Sequence, residues 1–304
     1  MATEARVVRP AKVSTWSRRR ATMAGHWATF RASRRGMVGL SILVFFTVVA
    51  VASPLLVSEA EVSPALATGP LHAPPQVGYP LGTDNFGRSV LDLLIVGARV
   101  SLLVGVTAAI GAMLIGAIVG ISAGYFGGTR IDAGLNALTN WFLVIPWLAL
   151  AIALATVLGA SLTNVIVVIA ITSWAATARL VRAQALTVKE RSYIERSRAI
   201  GGSHWHVVTR HVLPNVFPVL FANTILMVAL AILSETTLAI LGLSDPVAIS
   251  WGKVIESAFT AGAMTAGYWW WLIPPGICIV LVTLAFTMVG FALDEILSPR
   301  LRQR

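Results

Sequence analysis

The sequence has few charged residues, a single cysteine and no phosphate-binding loop. Charged residues make up 12% of its 304 positions and apolar residues 57%, which leaves too few charges for the surface of a soluble domain. Because Cys278 is the single cysteine, this chain by itself forms neither a disulfide nor a metal site with several thiolate ligands. The GxxxxGK(S/T) pattern that cradles nucleotide phosphates does not occur. The composition therefore indicates a membrane protein without an ATP-binding loop of this kind.

Apolar stretches of roughly 20 residues, the length with which a helix crosses about 30 Å of hydrocarbon, recur along the chain. We predict membrane spans at residues 37–57, 101–122, 141–158, 165–181, 216–241 and 271–293. The predicted fold class is an all-α integral membrane protein with six transmembrane helices. Its parts are a basic tail (1–36), a first helix (37–57), a segment outside the membrane (58–98), a five-helix core (99–293) and a second tail (294–304).

The net charge of +10 is unevenly distributed over the two sides that six spans define. One side holds only Arg88, Arg99 and Lys253, and all other lysines and arginines fall on the side of the two termini. Short connections rich in lysine and arginine remain in the cytoplasm, so we expect both termini there and the 58–98 segment outside. This bias accounts for the positive charge, and no nucleic-acid recognition motif accompanies it. We therefore expect no nucleic-acid partner.

The 58–98 segment begins with a proline-rich stretch that is unsuited to a regular helix. Its prolines are Pro64, Pro70, Pro74, Pro75 and Pro80. The stretch ends in LGTDNFGR (81–88), where Asp84 or Asn85 is suited to a turn in which the side chain binds the backbone ahead of it. We predict an irregular segment that closes with a tight turn.

The connection at 183–215 contains a predicted surface helix at about 186–202. Arg191, Glu195 and Arg198 are spaced to share one face of it, so both arginines are expected to hold Glu195. Gly201 is expected to end the helix, because glycine adopts left-handed backbone angles. Pro214 suits the first turn of the next span. A charged helix between two spans is either a docking surface or a merely solvated connection.

The stretch IERSRAIG (194–201), followed by Leu213 and Pro214, resembles the EAA signature of ABC importer permeases. Other stretches resemble the second membrane subunit of the dipeptide/oligopeptide (peptide/nickel) branch. They cover residues 80–88, 97–102, 123–128, 210–215, 241–243, 250–252 and 299–300. The resemblance runs from about residue 35 to the end and leaves the N-terminal extension outside. Arg196 and Ser197 depart from the family pattern, which has small alanines after the glutamate.

This resemblance implies a type I ABC importer permease in the cell (inner) membrane that itself catalyses no reaction. It implies four kinds of partner: a homologous second permease, separate ATPase subunits that bind ATP and Mg²⁺, an extracytoplasmic substrate-binding protein, and membrane lipid. It also implies that the surface helix couples to the ATPase through Arg191, Tyr193, Ile194, Glu195, Arg198, Ala199, Ile200, Gly201, Leu213 and Pro214. The expected cargo is a di- or oligopeptide. A nickel chelate or another small solute remains the alternative, and a secondary transporter a weaker one.

Four polar or aromatic residues within the predicted spans, or directly before one, are candidates for the transport pathway or for contacts between helices. They are Asn164, Trp174, Asn223 and Glu235. An ionisable group inside a membrane span is a functional candidate by default, which singles out Glu235. Its position near one end of its span equally suits a hydrogen-bonded structural role.

Overall fold

The computed structural model describes residues 24, 25 and 27–297, and within them the chain is helical with irregular connections and no strand. The helices are α1 (Arg34–Leu56), α2 (Glu59–Val62), α3 (Val90–Tyr125), α4 (Arg130–Val144), α5 (Trp147–Leu158), α6 (Leu162–Lys189), α7 (Ser192–Ala199), α8 (His204–Val207), α9 (Leu213–Ile240), α10 (Trp251–Thr260), α11 (Ala263–Ala266) and α12 (Trp269–Leu297). A π-helical turn, Val208–Val212, joins α8 to α9. The expected all-α fold is confirmed for these residues.

Five helical runs in the described part of the chain are long and apolar enough to cross a membrane, and the pair α4 and α5 makes a sixth if it is counted as one span. The pair bends by 91° between its two helices. The prediction of one continuous span at 141–158 is therefore wrong. Pro146 explains the break, because proline lacks a backbone N–H and pushes the residue before it out of the helical region. Ile145 is accordingly extended, with φ −69° and ψ 127°.

Helix α3 begins earlier than expected. Ser89 caps it, and its hydroxyl accepts a hydrogen bond from the backbone N–H of Asp92 at 3.4 Å. Residues 90–98, which were assigned to the segment outside the membrane, are therefore helical. With 36 residues, α3 is about 54 Å long, well beyond the thickness of the hydrocarbon layer. The helix thus links two regions on opposite ends of the bundle.

Helix α3 is also the centre of the bundle and packs against α1, α6 and α9. Glycines allow its closest approach to α6. A Cβ atom on Gly116 would lie 2.9 Å from the carbonyl oxygen of Trp174, and one on Gly120 would lie 2.6 Å from that of Ala178. Neither position has room for a side chain. Small residues are what allow membrane helices to pack this closely.

Residues 58–89 and α10 form a layer over the first end of α3, which we call the cap layer. Its centre is Asp84, whose side chain accepts hydrogen bonds from the backbone N–H groups of Phe86 (2.9 Å) and Arg88 (2.8 Å). The Nε atom of Arg88 donates to the same carboxylate at 2.7 Å, and its Nη1 atom donates to the carbonyl of Val62 at 3.2 Å. The predicted turn is confirmed, and Asp84 rather than Asn85 closes it.

Candidate functional site

The predicted surface helix lies at the far end of α3 from the cap layer. Tyr125, the last residue of α3, donates to or accepts from His204 Nδ1 at 2.8 Å. The guanidinium carbon of Arg198 lies 4.9 Å from the centre of the Tyr125 ring. These contacts place α7 and α8 side by side on the end of α3. We call residues 191–207 the knob.

The sequence pattern predicted a single helix at about 186–202, and the structure divides these residues between two helices. Helix α6 ends at Lys189, and Arg191 has an extended backbone (φ −77°, ψ 138°) at the position that precedes α7. Residues 186–189 thus belong to the long span, and the separate helix is Ser192–Ala199. Because Arg191 lies outside that helix, the spacing rule that joined it to Glu195 does not apply.

Glu195 is exposed, and it takes part in none of the ion pairs formed by the described residues. The prediction that Arg191 and Arg198 hold it is wrong. Arg198 turns instead towards the face of the Tyr125 ring, an arrangement in which the ring's electrons attract the cation. The carboxylate of Glu195 is therefore presented to the surroundings of the knob.

One buried side chain anchors α7 to the bundle. Ile194 is 0% exposed and packs in an apolar cluster with Val188 of α6, Val207 of α8 and Val212 of the π-helical turn. Ser197 is also buried. Fully burying an isoleucine side chain contributes about 1.5–3 kcal/mol. The predicted site residue Ile194 thus faces inward and holds the helix in place.

The end of α7 is a glycine turn of the Schellman type. The N–H of Gly202 donates to the carbonyl of Ser197 at 2.9 Å, and the N–H of Gly201 donates to that of Arg198 at 2.9 Å. This pair of bonds requires a left-handed residue after the helix, and Gly201 has φ +86°. The predicted helix end at Gly201 is confirmed.

Two large apolar side chains flank this turn and point away from the protein. Ile200 is 87% exposed and Trp205 is 77% exposed. Ile200 was among the predicted site residues, but Trp205 was not. Exposed tryptophans are common anchors of protein interfaces. The sequence did contain a signal for Trp205, because it lies between two histidines in a polar stretch. A tryptophan is too apolar for a loop that contacts only solvent.

The other predicted residues of this site are divided between surface and interior. Ala199 and Pro214 are exposed, as is the backbone at Gly201, and Leu213 is 37% exposed. Tyr193 is half-buried, and its hydroxyl oxygen is enclosed without a hydrogen-bond partner in the described part of the chain. Its ring lies 5.8 Å from that of His211.

A π-helical turn joins the knob to α9. The N–H of Leu213 donates to the carbonyl of Val208, five residues back rather than four. Pro214 gives the physical reason, since it lacks the N–H that would bond to the carbonyl of Arg210. The side-chain amide of Asn215 donates to the carbonyl of His211 at 2.7 Å. The helical run from His204 to Ile240 is therefore continuous, with one wide turn.

The end of α6 that carries the knob is braced by polar contacts to α4 and the turn before it. Nε and Nη2 of Arg182 donate to the two carboxylate oxygens of Asp132 at 2.7 and 2.9 Å. The ammonium group of Lys189 donates to the carbonyl of Gly127 at 2.8 Å. A guanidinium bound to both oxygens of a carboxylate fixes the relative orientation of the groups. The base of the knob is thus held rigidly.

The four candidate pathway residues are all bonded or packed within the chain. Asn164 donates to the carbonyls of Leu158 (2.7 Å) and Gly159 (3.0 Å), which closes the end of α5. Asn223 donates to the hydroxyl of Thr177 at 3.1 Å, between α9 and α6. The structure does not gather these residues into one site.

The remaining two candidates lie in different places. Trp174 is buried in contact with the ring of Phe142, 5.0 Å between centres. Glu235 is buried near the end of α9, where the hydroxyl of Ser250 donates to its Oε1 atom at 2.5 Å. Its second oxygen has no partner in the described part of the chain. Glu235 thus joins α9 to the residue that precedes α10.

A bundle with this many long apolar helices is typical of a multi-pass membrane protein. The chain is similar to a solved structure of the MetNI methionine ABC transporter in inward-facing conformations, with a TM-score of 0.54 and 20% identity. The likeness covers 68% of this chain and 95% of the other. It supports the predicted ABC importer permease fold.

Residues 112–303 match the family described as binding-protein-dependent transport system inner membrane component, and the chain belongs to that family. It is thus a multi-pass protein of the cell (inner) membrane. Residues 23–75 match the N-terminal TM domain of oligopeptide transport permease C. The likeness therefore begins before residue 35, within the N-terminal extension that was expected to lie outside it.

The chain is also similar to known permease proteins, which supports its place in this family. The dipeptide transport system permease protein DppC of Bacillus subtilis (strain 168) is 35% identical over 279 residues, 91% of this chain and 85% of the relative. The oligopeptide transport system permease protein OppC of the same organism is 34% identical over 278 residues, 90% and 88% of the two chains. The probable D,D-dipeptide transport system permease protein DdpC of Escherichia coli (strain K12) is 32% identical, covering 82% and 88%.

Proposed function

We propose that this chain is a permease subunit of an ATP-driven importer of di- or oligopeptides, and that the knob couples it to a separate ATPase. The observation that carries the coupling role is the division of the knob into an anchored and a presented side. Ile194 is enclosed by the bundle, whereas Ile200 and Trp205 are exposed on both sides of the glycine turn. The peptide cargo is supported by what the relatives' names say they transport.

The partners follow from this function. A homologous second permease would complete the pathway, and a substrate-binding protein outside the cell membrane would deliver the peptide. The ATPase subunits would bind ATP and Mg²⁺, which agrees with the lack of a GxxxxGK(S/T) loop in this chain. The distribution of lysine and arginine supports cytoplasmic termini, with the knob on the same side.

The geometry supports a mechanism of rigid-body coupling. The bonds between Arg182 and Asp132 hold the base of the knob, and a continuous helical run leads from His204 to Ile240. A shift of the knob with the ATPase would therefore move α9 as a rod rather than be absorbed in a loop. Glu235 and Ser250 would carry the movement to the cap layer.

A charge reversal at Glu195 tests the coupling role. We expect Glu195→Lys to lower both peptide uptake and binding-protein-stimulated ATP hydrolysis about tenfold, which corresponds to about 1.4 kcal/mol of free energy. The reason is that the substitution presents a cation to the partner where an exposed carboxylate stood. The matched control is Glu190→Lys, the same charge change at an exposed residue outside α7. Both are measured in the complete transporter reconstituted in liposomes.

Equal effects of the two substitutions, or none at Glu195, would show that α7 is not the coupling element. The orientation is tested separately with Ser192→Cys and Thr260→Cys, two exposed positions, in a Cys278→Ala background. We expect a membrane-impermeant thiol reagent added to intact cells to label Thr260→Cys only. Labelling of Ser192→Cys would reverse the proposed topology.

A further inference from the structure

Arg99 is an exposed arginine on α3, nine residues after the helix begins at Val90. It forms no hydrogen bond, ion pair or ring contact with any residue that the structure describes. Arg88, one residue before the cap of the same helix, is instead bound to Asp84. An unpaired and permanently charged side chain on a membrane helix requires a partner from its surroundings.

The position of Arg99 coincides with a membrane boundary. It is the last charged residue before the apolar stretch 101–122. The apolar stretch that contains the neighbouring helix α1 ends at Val57, the residue after the helix, and is followed by Ser58. Val57, Ser58 and Arg99 line the same cavity. Two adjacent helices thus change from apolar to polar at the level of the Arg99 side chain.

A groove between α1 and α3 runs from this level into the apolar part of the bundle. It consists of two cavities of about 370 and 510 Å³, and Pro54, Arg99 and Leu103 line both of them. The second cavity extends to Val51 and Phe286 and has mostly apolar walls. The groove therefore has a cationic mouth at the membrane boundary and an apolar floor that leads towards the membrane centre.

We propose that this groove binds an anionic phospholipid, with its phosphate on Arg99 and an acyl chain between α1 and α3. A guanidinium matches the geometry of a phosphate with two parallel hydrogen bonds. At a membrane boundary, a phospholipid combines an anionic group with a long apolar chain, the two features that the groove complements. A soluble peptide could place its carboxylate on the cationic mouth of the groove, but it has no long apolar chain to fill the apolar floor.

A bound lipid would fill the space between α1 and the core. Helix α1 packs against α12 as well as α3, and its side chains Val51 and Leu55 are largely exposed. An acyl chain along this groove would extend the contact between α1 and α3 without any protein side chain. This site is independent of the knob and of the peptide cargo, so its test requires no transport measurement.

Native mass spectrometry of the complete transporter tests the proposal. The purified complex is incubated with phosphatidylglycerol or phosphatidylcholine, and the lipid that it retains is measured for the wild type, Arg99→Gln and Arg99→Lys. We expect Arg99→Gln to retain about fivefold less phosphatidylglycerol, the effect of losing one exposed ion pair at the upper end of its usual strength, and to retain phosphatidylcholine unchanged. Arg99→Lys should retain an intermediate amount, since lysine keeps the charge and loses the paired hydrogen bonds.

The matched control is Arg130→Gln, an exposed arginine at the far end of the bundle, which should retain phosphatidylglycerol as the wild type does. Equal retention by the wild type and Arg99→Gln would overturn the proposal. Displacement of phosphatidylglycerol by inorganic phosphate or by a dipeptide would also overturn it, because the mouth alone would then bind the anion. Loss of the second permease from Arg99→Gln, with lipid retention unchanged, would assign Arg99 to the subunit interface instead.

Discussion

The cap layer and the knob are both connections at the ends of α3, but they are held in opposite ways. In the cap layer a buried carboxylate, Asp84, accepts three hydrogen bonds, one of which comes from the guanidinium of buried Arg88. In the knob an apolar side chain, Ile194, is the anchor, and the carboxylate of Glu195 is exposed. The carboxylate of Asp84 is thus used within the chain, whereas the carboxylate of Glu195 is available to a partner.

The difference follows from the cost of burying charge. A buried ion pair is stable only while both members and their hydrogen bonds remain in place, so it fixes the local backbone. An apolar anchor requires no directional bonds and leaves the opposite side of a short helix free. Polar anchoring suits a layer that keeps its shape, and apolar anchoring suits a helix that docks. The following substitutions test this contrast.

The largest effect is expected in the cap layer. Asp84→Ala should destabilise the folded protein by about 3–5 kcal/mol, because it leaves the guanidinium of Arg88 buried without its partner and frees two backbone N–H groups. Asp84→Asn is the control, because its amide oxygen can still accept hydrogen bonds from those N–H groups. It should therefore lose less stability than Asp84→Ala. Thermal unfolding of the purified protein measures both. Equal stability of Asp84→Ala and the wild type would contradict polar anchoring.

A matched pair of isoleucines tests the knob. Ile194→Ala should lower the free energy of unfolding by about 2–5 kcal/mol and should speed hydrogen exchange across residues 191–207. Ile200→Ala should change stability by less than about 0.5 kcal/mol, because the side chain is 87% exposed. It should nevertheless weaken binding of the ATPase subunits about fivefold to tenfold. If both variants lose stability alike, the division into an anchored and a presented side is wrong.

The smallest effect is expected at the glycine turn. Gly201→Ala should lower the stability of the folded protein by about 1–2 kcal/mol, because a backbone φ of +86° is unfavourable for a residue with a Cβ atom. The space around Gly201 is open, so the backbone alone would cause the loss. Gly134→Ala is the control, because Gly134 is also surrounded by open space but lies within α4, where alanine is favoured. Hydrogen exchange of the knob should rise in the first variant and remain unchanged in the second.

Features set by local chemistry could be predicted from the sequence. Asp84 among glycines marked its turn, Gly201 marked the end of α7, and the apolar stretches marked the membrane helices. Each of these signals acts within a few residues, so no knowledge of the partner elements was needed. The family resemblance added the functional role of the knob, which composition and spacing alone left open between a docking surface and a solvated connection.

Features set by tertiary contacts could not be predicted. The spacing of Arg191, Glu195 and Arg198 was helical, but the chain leaves the helix at Glu190 and Arg191, which separates Arg191 from Glu195. Arg198 shares the helix of Glu195 and still forms no ion pair with it. Arg198 instead contacts Tyr125, more than 70 residues away in the sequence. The 91° bend at Pro146 could not be predicted either, because an apolar stretch indicates how long a helical segment is and not the angle at which it bends.

The π-helical turn at Val208–Val212 sets the direction in which the side chains of α9 point. It holds one residue more than an ordinary helical turn, and one residue corresponds to about 100° around the helix axis and 1.5 Å along it. Side chains on the two sides of the wide turn are therefore rotated by about 100° relative to the positions that an uninterrupted α-helix would give them. Because Pro214 fixes the wide turn in place, this rotation determines which residues of α9 face the knob and which face the bundle.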